Sequence, residues 1–285
     1  SMSSPRSFLF KLTGSLSEGA AGNPTGVMVE AAYAHHGLEW RYINMEVPAA
    51  SLADAIRGAR AMGFRGFNCS IPHKVAVIPH LDGLGRSADI MGAVNCVVNH
   101  EGRLIGENTD GKGFLRSLET VLNPSGKRIV ILGAGGAARA IAVELALAGA
   151  AHLAIVNRDS ERGNLLVDLL RARTPAHATY HPWSGTFSIP SNADAVIQAT
   201  CVGLYEPDAA PDIDFTTLRA GIVAADVVFN PVQTRFLREA SARGCTALDG
   251  LGMLVNQGII GVKYWTGVEP DAGVMRAALE KAMGV

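Results

Sequence analysis

The sequence lacks the features that mark nucleic-acid, metal-binding and membrane proteins. Its net charge is −1 and its lysines and arginines are scattered, so no basic face for nucleic acid is expected. Its four cysteines match no metal-ligand spacing and lie in apolar runs, which is typical of core residues in a reducing, cytoplasmic setting. The longest apolar run, 129–156, is interrupted by Arg139, Glu144 and glycines, unlike a membrane span. The opening letters SMSSPRS contain no apolar signal-peptide core.

What the sequence does have is a large apolar content arranged in alternating strand-like and helix-like segments. Hydrophobic residues make up 48% of the 285 residues, enough for one large or two ordinary domains with real cores. The alternation predicts parallel sheets covered by helices on both faces. The first part is expected to hold strands near 7–13, 39–47 and 65–70, helices near 25–36 and 50–62, a hairpin at 93–106 and a helix within 108–122. After the turn-like 123–127, strands are expected near 128–132, 152–156, 194–200, 222–228 and 245–248, followed by helices within 252–283.

Lys74 follows the strand-like run 65–70 and lies just past Pro72. Most lysines are simply exposed to solvent, and that interpretation is open for this one. The alternative is a proton-transfer group at the carboxyl end of a strand, where ligands bind in α/β folds. A partly desolvated lysine in such a cleft can titrate closer to neutrality and act as a general acid or base.

The segment RIVILGAGGAARA, 128–140, is the most specific motif in the chain. An apolar strand runs into G-x-G-G-x-A, a variant of the dinucleotide-binding fingerprint, and a helix of small residues follows. Gly133 permits a tight turn, and Gly135 lets the backbone approach a pyrophosphate that the helix N-terminus stabilises. Ala138 allows the helix to pack closely on the strand. An ordinary glycine-rich turn between a strand and a helix is the alternative.

The next strand ends in VNRDSER, 156–162, where the adenosine ribose is read in such folds. Asp159 would accept hydrogen bonds from the ribose hydroxyls of NAD, whereas Arg158 and Arg162 would bind the 2′-phosphate of NADP. The carboxylate would repel that phosphate, and the arginines could instead stack on adenine or face water. We therefore predict NAD over NADP and keep NADP as the alternative.

Motifs spread over nearly the whole chain resemble the shikimate/quinate dehydrogenase family. They are NCSIPHK (68–74), AVNCVV (93–98), NTDGKG (108–113), GAGGAARA (133–140), NRD (157–159), DGLGMLVNQ (249–257) and WTG (265–267). The resemblance implies hydride transfer between nicotinamide and the C3 hydroxyl or ketone of shikimate or a related ring carboxylic acid, such as quinate or an amino analogue. It also implies an α/β substrate-binding domain at 1–112, a Rossmann-type dinucleotide-binding domain at 113–245 and C-terminal helices at 246–285 that return to the first domain.

The resemblance further assigns roles to individual positions. Lys74 and Asp110 correspond to a catalytic acid–base pair, and Asp110 is also a candidate helix N-cap. The expected substrate-binding residues are Asn23, Thr25, Asn68, Ser70, Asn95, Phe229 and Gln257. For Asn68 and Asn95, hydrogen bonding within turns or at a strand edge is the alternative. The expected cofactor-binding residues are Gly133, Ala134, Gly135, Gly136, Ala137, Asn157, Arg158, Asp159, Arg162, Thr200, Val202, Gly250 and Met253.

The sequence departs from the family pattern where the family binds its acid. The family's Ser-x-Ser-Pro segment, whose hydroxyls hold the substrate carboxylate, is replaced by Asn23, Pro24 and Thr25 followed by Gly26. Phe229 stands where the family commonly has a tyrosine near the substrate. We therefore predict poor turnover of shikimate itself and leave the identity of the ring acid open.

Two other functions compete with this interpretation. One is a dehydrogenase of another small substrate, such as a folate-linked compound, which NCSIPHK and NTDGKG fit poorly. The other is a non-catalytic dinucleotide sensor, against which the presence of both Lys74 and Asp110 speaks. The expected ligands are NAD and a small ring carboxylic acid, with no metal, no nucleic acid and no membrane, and a homodimer is an open alternative.

Overall fold

The computed structural model describes residues 4–285, so the first three residues of the opening SMSSPRS segment lie outside the described part. The chain divides into two compact units. The first comprises the chain up to Thr109 together with Gly258–Val285, and the second is Asp110–Gln257. The sequence predicts these divisions at 112/113 and 245/246. The observed second division, between Gln257 and Gly258, falls inside one continuous helix, Leu251–Thr266.

The first unit is built on a six-stranded mixed sheet. Its strands are β1 (Lys11–Ser17), β2 (Trp40–Glu46), β3 (Gly66–Cys69), β4 (Gly83–Leu84), β5 (Cys96–His100) and β6 (Arg103–Glu107). They lie in the order β2-β1-β3-β5-β6-β4. β1 is parallel to β2 and β3, whereas β5 is antiparallel to both β3 and β6, which confirms the predicted hairpin.

The helices of this unit come from both ends of the chain. They are α1 (Thr25–His35), α2 (Leu52–Ala61), α3 (His73–Ala76), α4 (Arg86–Met91) and, near the C-terminus, the last part of α9 (Leu251–Thr266) and all of α10 (Ala272–Met283). α10 packs against α1. This contact confirms the prediction that the C-terminal helices return to the first domain.

The first strand lies later in the chain than its apolar letters predicted. The prediction was 7–13, but β1 spans Lys11–Ser17, and Phe8 and Leu9 are 80% and 85% exposed. Instead, the polar Thr13 and Ser15 are fully buried. Their hydroxyls are satisfied by side chains of the neighbouring elements: the Thr13 hydroxyl lies 2.8 Å from the Tyr33 hydroxyl, and Ser15 donates to Asn44 at 3.0 Å. Apolar character alone therefore placed the strand too early.

The second unit is a six-stranded parallel sheet of the Rossmann type. Its strands are β7 (Arg128–Leu132), β8 (His152–Asn157), β9 (His177–Pro182), β10 (Ala195–Gln198), β11 (Val223–Asp226) and β12 (Thr246–Leu248). Their order is β12-β11-β10-β7-β8-β9, so the direction of strand succession reverses between β7 and β10. Ligands bind at such a switch point, beyond the carboxyl ends of the strands. The mostly polar β9 was not predicted.

The helices of the second unit pack closely at the NTDGKG motif. They are α5 (Asp110–Leu118), α6 (Gly136–Leu147), α7 (Ser160–Arg173) and α8 (Arg235–Ala242), with the first part of α9. A Cβ atom added to Gly111 would lie 2.4 Å from a backbone oxygen of α6, and one added to Gly113 would lie 2.8 Å from a backbone nitrogen of α9. Between the two glycines, Lys112 reaches the buried Glu144 of α6 at 3.1 Å. The motif therefore contains two close-contact positions and one ion pair in addition to Asp110.

Candidate active site

Lys74 lies in α3, the short helix that follows β3, and its side chain is half-buried. Its backbone carbonyl accepts a hydrogen bond from the N–H of Val94 at 2.8 Å. The preceding His73 is fully buried, with its Nε2 2.7 Å from the carbonyl oxygen of Val47. These contacts fix the backbone from which the lysine side chain leaves. Burial raises the pKa of the Cys69 thiol at the end of β3 to about 12, and the nearby charge of Lys74 opposes that rise.

Asn68 and Asn95 both use their side chains within the first unit. The Asn68 Oδ1 accepts from the hydroxyl of Tyr42 at 2.7 Å, and its Nδ2 donates to the Asn95 carbonyl at 3.1 Å. The Asn95 amide donates to the Thr109 hydroxyl at 2.9 Å and accepts from the Thr109 N–H at 2.7 Å. Asn95 thus holds the residue that directly precedes Asp110. The structural role left open for both asparagines is present, and substrate binding by either stays a prediction.

The segment that replaces Ser-x-Ser-Pro is held in place by its own polar groups. The Asn23 Oδ1 accepts from the N–H of Thr25 at 3.0 Å, and α1 begins at Thr25, which is only 6% exposed. Asn44 of β2 donates to the Asn23 carbonyl at 3.0 Å. Ser70 is half-buried just after β3, and its N–H donates to the carbonyl of Leu16 at 3.1 Å.

A carboxylate that was not among the predicted site residues contacts the loop before Asn23. Glu46, at the end of β2, accepts hydrogen bonds from the N–H groups of Gly19 and Ala20 at 2.9 and 2.8 Å. These two bonds hold the pKa of Glu46 below its usual range, so the group is an anion. A fixed negative charge therefore lies beside the loop that precedes Asn23. The β2 sequence WRYINME gives no signal for it, because its polar residues do not alternate regularly with apolar ones.

Three predicted residues of the second unit lie on or beside α5, α9 and β11. Asp110 is the first residue of α5 and is half-buried, and Gln257, on α9, is 7% exposed. α5 and α9 approach each other closely at Gly113, whose added Cβ would lie 2.8 Å from the backbone nitrogen of Gln257. Phe229 is half-buried three residues beyond the end of β11 at Asp226.

The glycine turn after β7 has the geometry of a pyrophosphate cradle. Gly133 adopts a φ of +116°, which disfavours any residue with a side chain, and its N–H donates to the Val156 carbonyl at 2.8 Å. Gly135 caps the N-terminus of α6, and both it and Gly136 are exposed, with no heavy atom within 4 Å of an added Cβ. The positive end of α6 therefore faces open space that an anion can enter. Ala134 is buried within the turn, and Ala137, in the first turn of α6, is half-buried.

A cavity of about 400 Å³ lies beyond the ends of β8 and β10. It is lined by Asn157, Arg158, Trp183, Thr200, Val202, Ala210, Pro211 and Asp212, so four predicted cofactor residues share one cavity. The Arg158 guanidinium lies 5.7 Å from the centre of the Trp183 ring, a cation–π distance. The size of the cavity and its position next to the glycine turn fit the adenosine half of a dinucleotide.

Asp159 does not line this cavity, which differs from the role predicted for it. Its carboxylate accepts hydrogen bonds from the N–H groups of Glu161 and Arg162 at 3.0 and 3.2 Å and so caps α7. Arg162 is exposed, with its Nε 3.8 Å from the same carboxylate. The local sequence Asp-Ser-Glu-Arg favours this cap because an aspartate side chain readily satisfies the free N–H groups of a helix start.

The two remaining cofactor positions lie at the start of α9. Gly250 is buried, and a Cβ atom there would lie 2.5 Å from the carbonyl oxygen of Val228. Met253 is half-buried on the first turn of α9. Gly250 therefore allows the chain to pass the segment that follows β11.

Among residues 4–285, no group of three or more histidine, cysteine, aspartate or glutamate side chains could hold a metal ion. None of the helices formed by these residues combines the length and apolarity that a bilayer crossing requires.

Comparisons with known proteins identify the family. Profiles of the shikimate dehydrogenase substrate-binding domain, of shikimate/quinate 5-dehydrogenase and of the shikimate 5′-dehydrogenase C-terminal domain match residues 24–97, 117–205 and 250–280. The shikimate dehydrogenase (NADP(+)) of Moorella thermoacetica is 43% identical over 261 residues, covering 90% of this chain and 88% of that protein.

Solved structures agree with the profiles. The ligand-free 5-ketofructose reductase of a Gluconobacter strain is 58% identical, with a TM-score of 0.95, and the match covers 97% of this chain and all of that one. The shikimate 5-dehydrogenase of Listeria monocytogenes, solved with shikimate and NAD, is 31% identical, with a TM-score of 0.89 and coverage of 98% and 99%.

These comparisons bear on several predictions. They confirm the predicted fold of a substrate-binding domain and a Rossmann-like nucleotide-binding domain. They also confirm an NAD(P)-dependent oxidoreductase acting on a CH–OH group, and the predicted shikimate-type reaction is confirmed at the level of the family. A nicotinamide cofactor is confirmed, but the preference for NAD is not supported, since many relatives are named NADP(+) enzymes. The chain belongs to the shikimate/quinate dehydrogenase family.

Proposed function

We propose that the chain catalyses reversible hydride transfer between NADP(H) and a secondary alcohol or ketone carbon of a small polyhydroxylated compound. The observation that carries this proposal is the glycine turn at Gly133, which opens onto the exposed N-terminus of α6 next to a cavity of about 400 Å³. Gly133–Ala137 would hold the pyrophosphate, and Asn157, Arg158, Thr200 and Val202 would line the adenosine site. Nicotinamide supplies or accepts the hydride when it is bound.

The chain itself must handle the proton. We propose that Lys74 donates it to the forming alkoxide in reduction and accepts it in oxidation, and that Asp110 accepts a hydrogen bond from the reacting hydroxyl. The anchoring of α3 by His73 supports a fixed origin for the Lys74 side chain. The two hydrogen bonds between Asn95 and Thr109, one donated by each residue, similarly restrain the backbone just before Asp110. General acid–base groups need this restraint because the proton transfer depends on geometry first.

NADP is the proposed dinucleotide. Asp159, the residue that favoured NAD, is engaged as the cap of α7, and the cavity is lined by one cation, the Arg158 guanidinium beside Trp183, and by Asp212. A hydrogen bond to a charged group contributes about 1.5–3 kcal/mol, which corresponds to about 10- to 150-fold in affinity. We expect Arg158→Ala to lower kcat/KM for NADPH by about this factor and to change that for NADH much less. Arg162→Ala, at an exposed neighbouring site, is the matched control and should change neither.

The preferred substrate is proposed to be a polyhydroxylated ketone of the 5-ketofructose type. The specific observation is the 58% identity to a 5-ketofructose reductase, against 31–43% for the shikimate enzymes described above. A ketone of this kind has no carboxylate. Three features disfavour a carboxylate ligand: Asn23 and Thr25 in place of the two serines, the anionic charge of Glu46 held against the loop before Asn23, and the missing phenol at Phe229.

A ring carboxylic acid of the shikimate type is the second candidate. Its support is the match of three family profiles over most of the chain. The departures at Asn23, Thr25 and Phe229 predict weak binding of shikimate rather than a different reaction, since the same hydride and proton chemistry serves both substrates.

A substrate panel tests the proposal. Steady-state rates are measured with 5-ketofructose, dehydroshikimate, shikimate and quinate, each with NADP(H) and NAD(H) in the matching redox state. We expect the highest kcat/KM for 5-ketofructose with NADPH, at least tenfold above any ring acid. A low-micromolar KM for shikimate, together with a kcat/KM above that for 5-ketofructose, would assign the chain to the ring acids. If no compound of either class is turned over, the reaction class itself is wrong.

We also propose a cytoplasmic location. Cys69, Cys96 and Cys245 are buried free thiols and Cys201 is an exposed free thiol, which suits a reducing compartment. Homodimer formation stays a prediction from the sequence.

A further inference from the structure

A buried carboxylate lies behind the segment that lines the cofactor cavity. Asp226, the last residue of β11, is 1% exposed, and the proposed proton transfer does not use it. Its Oδ1 accepts from the N–H of Val228 at 2.9 Å, and its Oδ2 accepts from the hydroxyl of Thr234 at 2.8 Å. A third donor, the Nε2 of Gln198, lies 3.4 Å from Oδ1. All three partners donate, which suits an ionised carboxylate because it can only accept.

Gln198, at the end of the adjacent strand β10, connects this carboxylate to the cavity. Its Oε1 accepts from the N–H of Thr200 at 2.9 Å, and its Nε2 donates to the carbonyl of Val202 at 3.1 Å. The Thr200 N–H can only donate and the Val202 carbonyl can only accept, so these two backbone groups already set the orientation of the Gln198 amide. Asp226 adds a second acceptor on the nitrogen side, which holds that end of the side chain in place from behind the cavity wall. Thr200 and Val202 both line the cavity of about 400 Å³, and Asp226 does not.

We propose that Asp226 is a positioning residue for the dinucleotide, which it serves by anchoring the Gln198 side chain and thereby the backbone of Thr200–Val202. This inference rests on the proposed cofactor site. It adds Asp226 and Gln198 to that site. Neither side chain lines the cavity, but both restrain the backbone that does. The network is fully internal, so its effect is on binding rather than on the reacting atoms.

The protonation of Asp226 gives this role a measurable signature. Burial raises the pKa of Asp226 to about 6, although the hydrogen bonds from Val228, Thr234 and Gln198 act in the opposite direction. The groups that face the carboxylate are neutral: the Gln198 amide from β10, the Val228 N–H after β11 and the Thr234 hydroxyl at the start of α8. Arg235, the charged residue that opens α8, is directed at a backbone carbonyl elsewhere. As the pH falls through about 6, the added proton meets only donors, so a hydrogen bond must break or the threonine hydroxyl must turn.

Direct binding of reduced nucleotides between pH 5 and 8, measured by calorimetry without any substrate, tests the inference. In the wild type, we expect the Kd for NADPH and for NADH to rise as the pH falls below about 6. NADH is essential because it lacks the 2′-phosphate, and phosphate monoesters themselves titrate near pH 6. In Asp226→Asn, which keeps the shape but removes the charge, we expect a Kd at least tenfold higher at pH 7.5. The Kd of the variant should no longer rise as the pH falls through about 6. The kcat of the variant at saturating cofactor should stay within threefold of wild type.

The outcomes separate this inference from the proposed function. A wild type that binds neither nucleotide refutes the cofactor site itself. A wild type that binds both, together with a folded Asp226→Asn whose Kd equals that of the wild type at every pH, overturns the positioning role but not the cofactor site. If circular dichroism shows that Asp226→Asn does not fold, the wild-type NADH profile decides alone. A Kd for NADH that is independent of pH between 5 and 8 then overturns the inference.

Discussion

Replacing Lys112 by methionine should destabilise the second unit because it leaves a buried carboxylate without its cation. Lys112 Nζ lies 3.1 Å from Glu144 Oε1, and the side chains are 29% and 6% exposed. Removing one partner of a fully buried ion pair costs about 3–5 kcal/mol. Because Lys112 is partly exposed, water can approach Glu144 in the variant, so we expect a smaller loss of about 2–3 kcal/mol in the free energy of unfolding.

Two further variants separate the charge effect from packing. Glu144→Gln removes the carboxylate but keeps its shape, so the double variant with Lys112→Met should recover most of the lost free energy. Arg162→Met breaks an exposed pair with Asp159 in the same unit, and such pairs contribute about 0.2–1 kcal/mol at most. The unfolding free energy of Arg162→Met should therefore change by less than about 0.5 kcal/mol.

Urea unfolding followed by circular dichroism measures these differences, with the m values compared to verify that the same transition is observed. For a domain of this size, about 1 kcal/mol shifts the melting temperature by about 2–4 °C, so Lys112→Met should melt about 4–12 °C below wild type. A loss no larger than that of Arg162→Met would refute the reasoning. It would show that Glu144 is neutralised or hydrated without Lys112.

Three further substitutions have defined outcomes. Lys74→Ala should lower kcat by about 10²–10⁴-fold with little change in the KM for the nucleotide, and near-normal kcat would assign the proton to another group. Gly66→Ala should cost at least about 2 kcal/mol by urea unfolding, because its Cβ would lie 2.2 Å from Nε1 of Trp265, whereas the control Gly58→Ala, inside α2, should be stabilising by about 0.5–1 kcal/mol. Asp159→Ala should lower the melting temperature through the loss of an N-cap contributing about 0.5–2 kcal/mol. A tenfold change in the ratio of kcat/KM for NADPH to that for NADH would contradict a role limited to capping.

Local patterns in the sequence predicted five of the six strands of the second unit. The strand Arg128–Leu132, the glycine turn and the helix Gly136–Leu147 were predicted from neighbouring residues, because a tight turn at Gly133 and an apolar strand have local physical causes. The predicted strands matching β8, β10 and β11 were identifiable in the same way, since strands buried on both faces appear as continuous apolar runs. The polar strand β9 was missed because the alternation in HATYHP is limited to Ala178 and Tyr180, too short a pattern to stand out from a loop.

The roles of polar side chains required the tertiary structure. The letters around Asp159 suit both a ribose contact and a helix cap, and only the observed bonds to Glu161 and Arg162 distinguish the two. The apolar residues near Phe8 indicated a strand. β1 lies later in the chain, where the buried Ser15 hydroxyl donates a hydrogen bond to the Asn44 side chain. A hydrogen bond between residues far apart in the chain leaves no local trace in composition or periodicity.

The sequence by itself determined the family, the order of strands and helices, and the position of the dinucleotide turn, because each depends on residues within a few positions of one another. The tertiary structure alone decided which polar groups act together. Asp226 and Gln198 are 28 residues apart and meet only because β10 and β11 are parallel neighbours. Glu46 reaches Gly19 and Ala20 only because its strand pairs with β1. Strand pairing is a non-local event, so the chemistry that it assembles becomes visible only in the folded chain.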